Sequence, residues 1–283
     1  MMQKTKLIHE VHDLWPATLI EVGGMSRRHP FVWLMQRAEN SAYRHSDLVV
    51  SLASHAKEYM VVHGLKERAF VHINNGIVRD DWERPQEIPK AHRTVLAELK
   101  KDNKFIVGYF GGHALSNALD VLIEAAIRSQ EDERVQFVLV GDGVEKERLM
   151  HKARKAGVSN LIFLDAVPKL AIPRLVEYFD CCYVGVKDSP LYRFGIAMNK
   201  IFDVMMAGKP MLYAVNAPNQ FAEQYQCGLT IEAGNPDAIV EGIQTLQGMS
   251  EAERIQMGKN GREAVLKNYE YSVLAKKFLD LMK

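Results

Sequence analysis

No stretch of this 283-residue chain holds the ~20 consecutive apolar residues that a membrane-crossing helix needs. Its opening, M-M-Q-K-T-K-L-I-H-E, also lacks the apolar core of a secretory signal, so a cytoplasmic location is expected. Cysteine is scarce. Cys181 and Cys182 close an apolar run and Cys227 stands alone, which rules out a disulfide framework and a zinc spacing and predicts buried thiols in a reducing compartment. Neither charge is in excess, with 36 Lys and Arg against 35 Asp and Glu, so no global field argues for a nucleic-acid partner. Internal repeats, low-complexity tracts and an Asp-x-Asp metal motif are missing as well. What remains, 47% hydrophobic and 25% charged residues, is the profile of a globular enzyme of one large or two small domains.

The chain does have alternation. Strands are expected at 7–11, 48–51, 70–73, 105–109, 136–140, 161–164, 182–186, 211–215 and 229–231, most of them separated by ten or more residues of helical period. That rhythm predicts an α/β fold of parallel β-α-β units. Residues 104–268 read as one complete doubly wound domain and residues 1–85 as part of a second Rossmann-like domain. Between them the charged, turn-rich stretch from Arg79 to Asn103, with Pro85 and Pro89 and a short helix near Ala91–Leu99, puts the linker at 86–103. Residues 269–283 are expected to form a closing helix that packs back on the N-terminal part.

The segment Ser189–Pro210, S-P-L-Y-R-F-G-I-A-M-N-K-I-F-D-V-M-M-A-G-K-P, predicts a helix that Asn199 caps and that Gly208 and Pro210 stop. A helix start offers unpaired N–H groups and about half a positive charge, which suits a diphosphate, and Lys200 adds a full charge. Asp203, three residues on and therefore on the same face, can accept both hydrogen bonds of a ribose diol. A second glycine site follows the expected strand F-I-V-G-Y, where Gly111 and Gly112 let backbone approach a phosphate. The rival reading of G-Y-F-G-G-H-A is a nicotinamide-binding turn. It requires an acid about 20 residues on, at the end of the next strand; the acid that stands at that strand end, Asp142, lies 31 residues after Gly111 and suits a turn position better.

Together these runs resemble the family 4 (group 1) retaining glycosyltransferases of the GT-B fold, in the subgroup of bacterial surface-polysaccharide enzymes of the N-acetyl-fucosamine-transferase type that writes F-G-x-x-x-N-K-x-F-D/E-Y-M-x-A-G-K-P. The resemblance implies that Asp203 holds the ribose of a nucleotide sugar while Asn199 and Lys200 face its diphosphate. It places Gly111, Gly112, His113 and Asn117 in the family turn G-T-H-G-L-A-N beside the donor, and the base-recognition turn on Ala166, Val167 and Pro168. Two positions depart from the pattern: Gly195 stands where many members carry a glutamate, and Asn117 stands near a common diphosphate lysine. Upstream, I-H-E-V-H-D-L-W-P, D-L-V-V-S-L-A-S-H and V-H-I-N-N-G-I-V resemble the last three strand units of the acceptor-side domain. The earlier strands are missing, so truncation or a partner chain is expected. His12, in E-V-H-D, matches a histidine that reaches the donor sugar.

The resemblance implies retaining transfer of a sugar, with UDP as the expected nucleotide, to a hydroxyl acceptor in polysaccharide or lipopolysaccharide biosynthesis. His12 and Lys200 would be catalytic, and neither a cofactor nor a metal would be required beyond the nucleotide sugar. The alternative is a nucleotide-sugar-binding fragment or subunit without catalysis of its own. For the acceptor, Phe31, Trp33, Leu34 and Met35 stand beside Arg27, Arg28, Arg37 and Arg44, a combination that suits either packing against the sheet or a membrane face carrying a lipid-linked saccharide.

Overall fold

Each expected apolar run becomes a strand in the computed structural model, which describes residues 5–283; positions 1–4 of the N-terminal portion lie outside the described residues. Strands β1 (Ile8–Val11), β2 (Leu48–Ser51) and β3 (Phe70–His72) form a parallel sheet in that order. Strands β4 (Phe105–Phe110), β5 (Val135–Val140), β6 (Leu161–Leu164), β7 (Cys181–Gly185), β8 (Met211–Ala214) and β9 (Gly228–Thr230) form a second parallel sheet, ordered β6-β5-β4-β7-β8-β9. The order reverses between β4 and β7, and in open α/β sheets such a switch point opens a crevice at the carboxyl ends of the strands.

The larger sheet is covered on both faces, which is why its strands read as unbroken apolar runs. One face sets Ile106, Val138 and Cys182 against Phe202 and Val265 of the helices Asn199–Ala207 and Glu251–Asn268. The other sets Val107, Phe137 and Tyr183 against Leu122 of the helix Leu119–Arg128 and Ile239 of the helix Pro236–Gly248. Each such fully buried side chain contributes about 1.5–3 kcal/mol. All three cysteines are buried and free, and burial pushes the Cys182 and Cys227 thiols up to about 12.

In the N-terminal portion, Val49, Met60 and Tyr43 form a separate core, which Phe194 from the far segment enters. The helix Pro30–His45 begins with Pro30 at its first turn and with His29 Nδ1 accepting the Phe31 N–H at 3.1 Å. It packs inward through Val32 and Tyr43; Phe31, Trp33 and Leu34 point outward. The helix Tyr271–Leu281 lies on this smaller sheet, with Leu274 buried beside Val50 and Ile73. In the linker the expected helix is longer, Lys90–Lys101, and a second one, Asp80–Glu83, precedes it.

One local expectation is corrected. Met198, not Asn199, occupies the cap position of the helix Asn199–Ala207, and it makes no side-chain cap bond. Distant groups fix the approach instead: Asn219 pairs with the N–H and C=O of Ile196 at 2.9 and 2.6 Å, and Asn75 donates to the Ala197 carbonyl at 2.6 Å. The chain therefore enters extended at Met198, and Asn199 is the exposed first helical residue. Gly208 does stop the helix, in the left-handed conformation at φ 67°.

Candidate active site

A cleft of about 360 Å³ opens at the carboxyl ends of β4, β5 and β6, beside the switch point. Gly111 and Gly112 line it after β4, Gly141 and Asp142 after β5, Ala166, Val167 and Lys169 after β6, and Lys200 and Asp203 from the helix Asn199–Ala207. Gly111 sits at φ 130°, and a Cβ there would stand 3.0 Å from Lys200 Cε, so the glycine admits the lysine to the turn. A Cβ on Gly141 would meet the Gly111 carbonyl oxygen at 1.9 Å. The two glycine turns thus touch, and together they form the floor of the cleft.

Lys200 Nζ donates to the Tyr109 hydroxyl at 2.8 Å and to Asn117 Oδ1 at 3.3 Å, and it lies 4.0 Å from the Tyr109 ring centroid. Both partners are anchored to one atom: the Gly112 carbonyl accepts from the Tyr109 hydroxyl at 2.6 Å and from Asn117 Nδ2 at 2.8 Å. Asn117 supplies no charge but holds the ammonium against the turn. Burial lowers the Lys200 pKa to about 7. Asp203 faces the same cleft one turn on. Its pKa rises to about 6, first through burial, while Lys169 opposes the rise and Asp81 adds to it. Val167 is half-buried in the cleft wall.

His113 is not a wall residue. Its side chain is 0% exposed, held between the rings of Tyr109 and Phe163 at 5.9 and 6.0 Å, with both ring nitrogens unpartnered among the described residues. Burial first, then Lys146 and Lys200, lower its pKa to about 4. Its backbone is the useful part: the His113 N–H donates to the Asp142 carbonyl at 2.7 Å, and the His113 carbonyl accepts from Glu145 at 3.0 Å, stitching the two glycine turns together.

His12 lies elsewhere. It follows β1, its side chain is exposed and contacts Glu10 Oε1 at 3.0 Å, and with Asp13, Leu52, Asn75, Gly195 and Met198 it lines a second cleft of about 380 Å³. This second cleft lies between the two sheets and ends at Met198, two residues before Lys200. The structure therefore brings Lys200, Asp203, Asn117, Val167 and the glycines together, and sets His12 across the start of one shared helix. Gly195 has φ 93°, and a Cβ there would lie 2.5 Å from Ser54 Oγ, so a glutamate fits this position only with strain. Nearby, Arg193 makes a two-pronged pair with the largely buried Glu21 at 2.8 and 2.9 Å and ties the segment to the N-terminal portion.

Sequence reasoning missed Tyr109 and Lys169. The signal for Tyr109 was present, an aromatic residue near the end of a strand and two before a glycine turn, but it reads equally as core. Lys169 depends on the turn that follows β6.

Comparison with solved structures shows the GT-B fold. HepE from Anabaena, solved with UDP, superposes with a TM-score of 0.75 at 18% identity, covering 98% of this chain and 72% of that one. Sucrose-phosphate synthase from Thermosynechococcus elongatus gives 0.75 at 19%, covering 99% and 68%. WaaG, a glycosyltransferase of lipopolysaccharide biosynthesis, gives 0.70 at 16%, covering 96% and 75%. In sequence, the chain is 28% identical over 150 residues to WcaI of Escherichia coli (strain K12), a candidate colanic acid biosynthesis glycosyl transferase. That match takes in 50% of this chain and 35% of WcaI, about a third of the relative's length. The family model for the group 1 glycosyl transferases matches residues 104–248, the part that carries the cleft. The chain belongs to the group 1 glycosyl transferases.

Proposed function

We propose that the chain transfers a sugar, with retention, from a UDP-linked donor to a hydroxyl acceptor in the assembly of a surface polysaccharide or lipopolysaccharide. The observation that carries the reading is the pairing of Lys200 and Asp203 on one helix face in a cleft floored by two glycine turns. That arrangement offers a cation and backbone groups to a diphosphate, and a carboxylate one turn away to a ribose diol. In the proposed step the bond from the anomeric carbon to the diphosphate oxygen breaks, and the acceptor oxygen bonds to that carbon on the same face. The acceptor proton passes to the departing diphosphate, so the products are the glycoside and UDP. Lys200 and the helix start stabilise the leaving charge, the electrostatic mode of catalysis. His12 and Asp13 line the neighbouring cleft, where the reading puts the sugar and the acceptor.

The acceptor reading is a lipid-linked saccharide at an anionic membrane face. Phe31, Trp33 and Leu34 are 46, 60 and 58% exposed, and Met35 is half-buried. Residues 23–38 hold Arg27, Arg28 and Arg37 and no acid, which suits attachment to anionic lipid rather than insertion. No helix among the described residues is long and apolar enough to cross a membrane.

Calorimetry with UDP tests the donor site. Asp203→Ala and Lys200→Ala should each cost more than about tenfold in affinity, since a charged hydrogen bond is worth ~1.5–3 kcal/mol. Unchanged affinity in both variants would remove the assignment.

A further inference from the structure

The linker holds the turn that forms one wall of the cleft. Gln86 N–H donates to the Leu170 carbonyl at 2.8 Å, Asp81 pairs with Lys169 at 3.3 Å, and His92 Nε2 meets the Asp165 carbonyl oxygen at 2.8 Å. From the other side Lys146 pairs with Asp165 Oδ1 at 2.8 Å. His92 is the informative one. It is 7% exposed, on the helix Lys90–Lys101, and its other ring nitrogen is buried with no partner among the described residues. A carbonyl can only accept, so Nε2 carries the hydrogen. The ring has one polar bond, and that bond goes to the peptide between Asp165 and Ala166.

A trans peptide is planar, and its C=O and N–H point in opposite directions. With the Asp165 carbonyl held toward His92, the Ala166 N–H points away from the linker helix. Ala166 and Val167 line the cleft and His92 does not. The Ala166 N–H makes no hydrogen bond among the described residues. Resting on the nucleotide reading of this cleft, we propose that His92 is a positioning residue for base selection: by fixing one peptide plane it presents the Ala166 N–H as a donor to the ligand's base. A donor at that point donates to the C4 carbonyl of uracil, the ring position at which the two pyrimidine bases differ. The amino group of cytosine occupies the same ring position and would set donor against donor.

Binding of UDP, CDP and pyrophosphate to the full chain by calorimetry tests this, with thermal melting to check folding. His92→Phe, which fills the site without a donor, should reduce the preference for UDP over CDP by about 3–10-fold, the size of one neutral hydrogen bond. Pyrophosphate binding, which uses Lys200 and the glycine turns, should not change. His92→Gln, which keeps an N–H, should restore most of the preference. An unchanged preference in His92→Phe overturns the proposal, and so does an equal loss for all three ligands, which marks a merely structural role. In the unaltered chain the Ala166 amide proton should shift downfield when UDP is added, and an unmoved amide overturns the proposal independently of any variant. If the unaltered chain binds neither UDP nor pyrophosphate, the nucleotide reading of the cleft itself falls; UDP binding with no effect of His92 removes only the base-selection role.

Discussion

Affinity for a UDP-sugar should peak between pH 6 and 7 and fall on both sides, because Lys200 and Asp203, two of the charged groups that line the cleft, titrate toward each other. Burial holds Lys200 at about 7, far below an ordinary lysine, and burial lifts Asp203 to about 6. The diphosphate needs the lysine protonated, so raising pH through 7 removes affinity. The ribose diol needs the acid ionised, so lowering pH through 6 removes it too. At pH 8 about a tenth of Lys200 is charged against half at pH 7, which predicts a roughly fivefold loss over that unit; Asp203 gives a similar loss from pH 6 to pH 5. The losses level off at roughly 10–150-fold, the worth of a charged hydrogen bond. UDP-glucose is the better probe, since its diphosphate keeps a constant charge while the terminal phosphate of UDP titrates near about 6. Calorimetry from pH 5 to 8.5 in two buffers of different ionisation enthalpy should show proton uptake on binding at the alkaline end and release at the acid end. Lys200→Met should abolish the alkaline limb and Asp203→Asn the acid limb. A flat affinity from pH 7 to 8.5 without proton uptake refutes the role given to Lys200.

Three further outcomes are expected. Gly195→Glu, which would bring the sequence closer to the family pattern, should lower stability by about 1–3 kcal/mol in thermal or urea unfolding, because the position is left-handed and Ser54 occupies the Cβ space; an unchanged midpoint contradicts it. Glu21→Ala and Arg193→Ala should show a coupling of about 1 kcal/mol in a double-mutant cycle, held to that size because Arg193 is half-exposed, and strict additivity would mean that the pair does not hold the segment in place. The chain should sediment with anionic vesicles at low salt and be released as salt screens its arginines, and Arg27→Glu with Arg28→Glu should reduce the bound fraction at least tenfold, at about 1 kcal/mol per charge near the surface; binding indifferent to these changes would leave the outward apolar residues unexplained by lipid.

The parallel strands were legible because both faces of the larger sheet are buried, so β5, V-Q-F-V-L-V, has no polar alternation to confuse it with a surface element. Lys200 and Asp203 were legible because their relation is local, three residues on one helix. What was not legible depends on distant groups. Asn199 failed as a cap because Asn219 and Asn75, distant in sequence, decide how the chain enters that helix. The His113 ring lies away from the cleft wall, which was not legible because a glycine-rich run announces close backbone approach and says nothing of where a neighbouring ring turns; Tyr109 and Phe163 take it inward. The same distance hid the most useful feature of the segment Ser189–Pro210. Phe194 is buried in the N-terminal core, Arg193 is tied to Glu21, and five residues past Phe194 the helix carrying Lys200 begins. The helix that carries Lys200 is therefore anchored at one end to the part of the molecule that carries His12. A shift of the N-terminal portion should be felt at Lys200 through that short connection, without any contact between the two clefts.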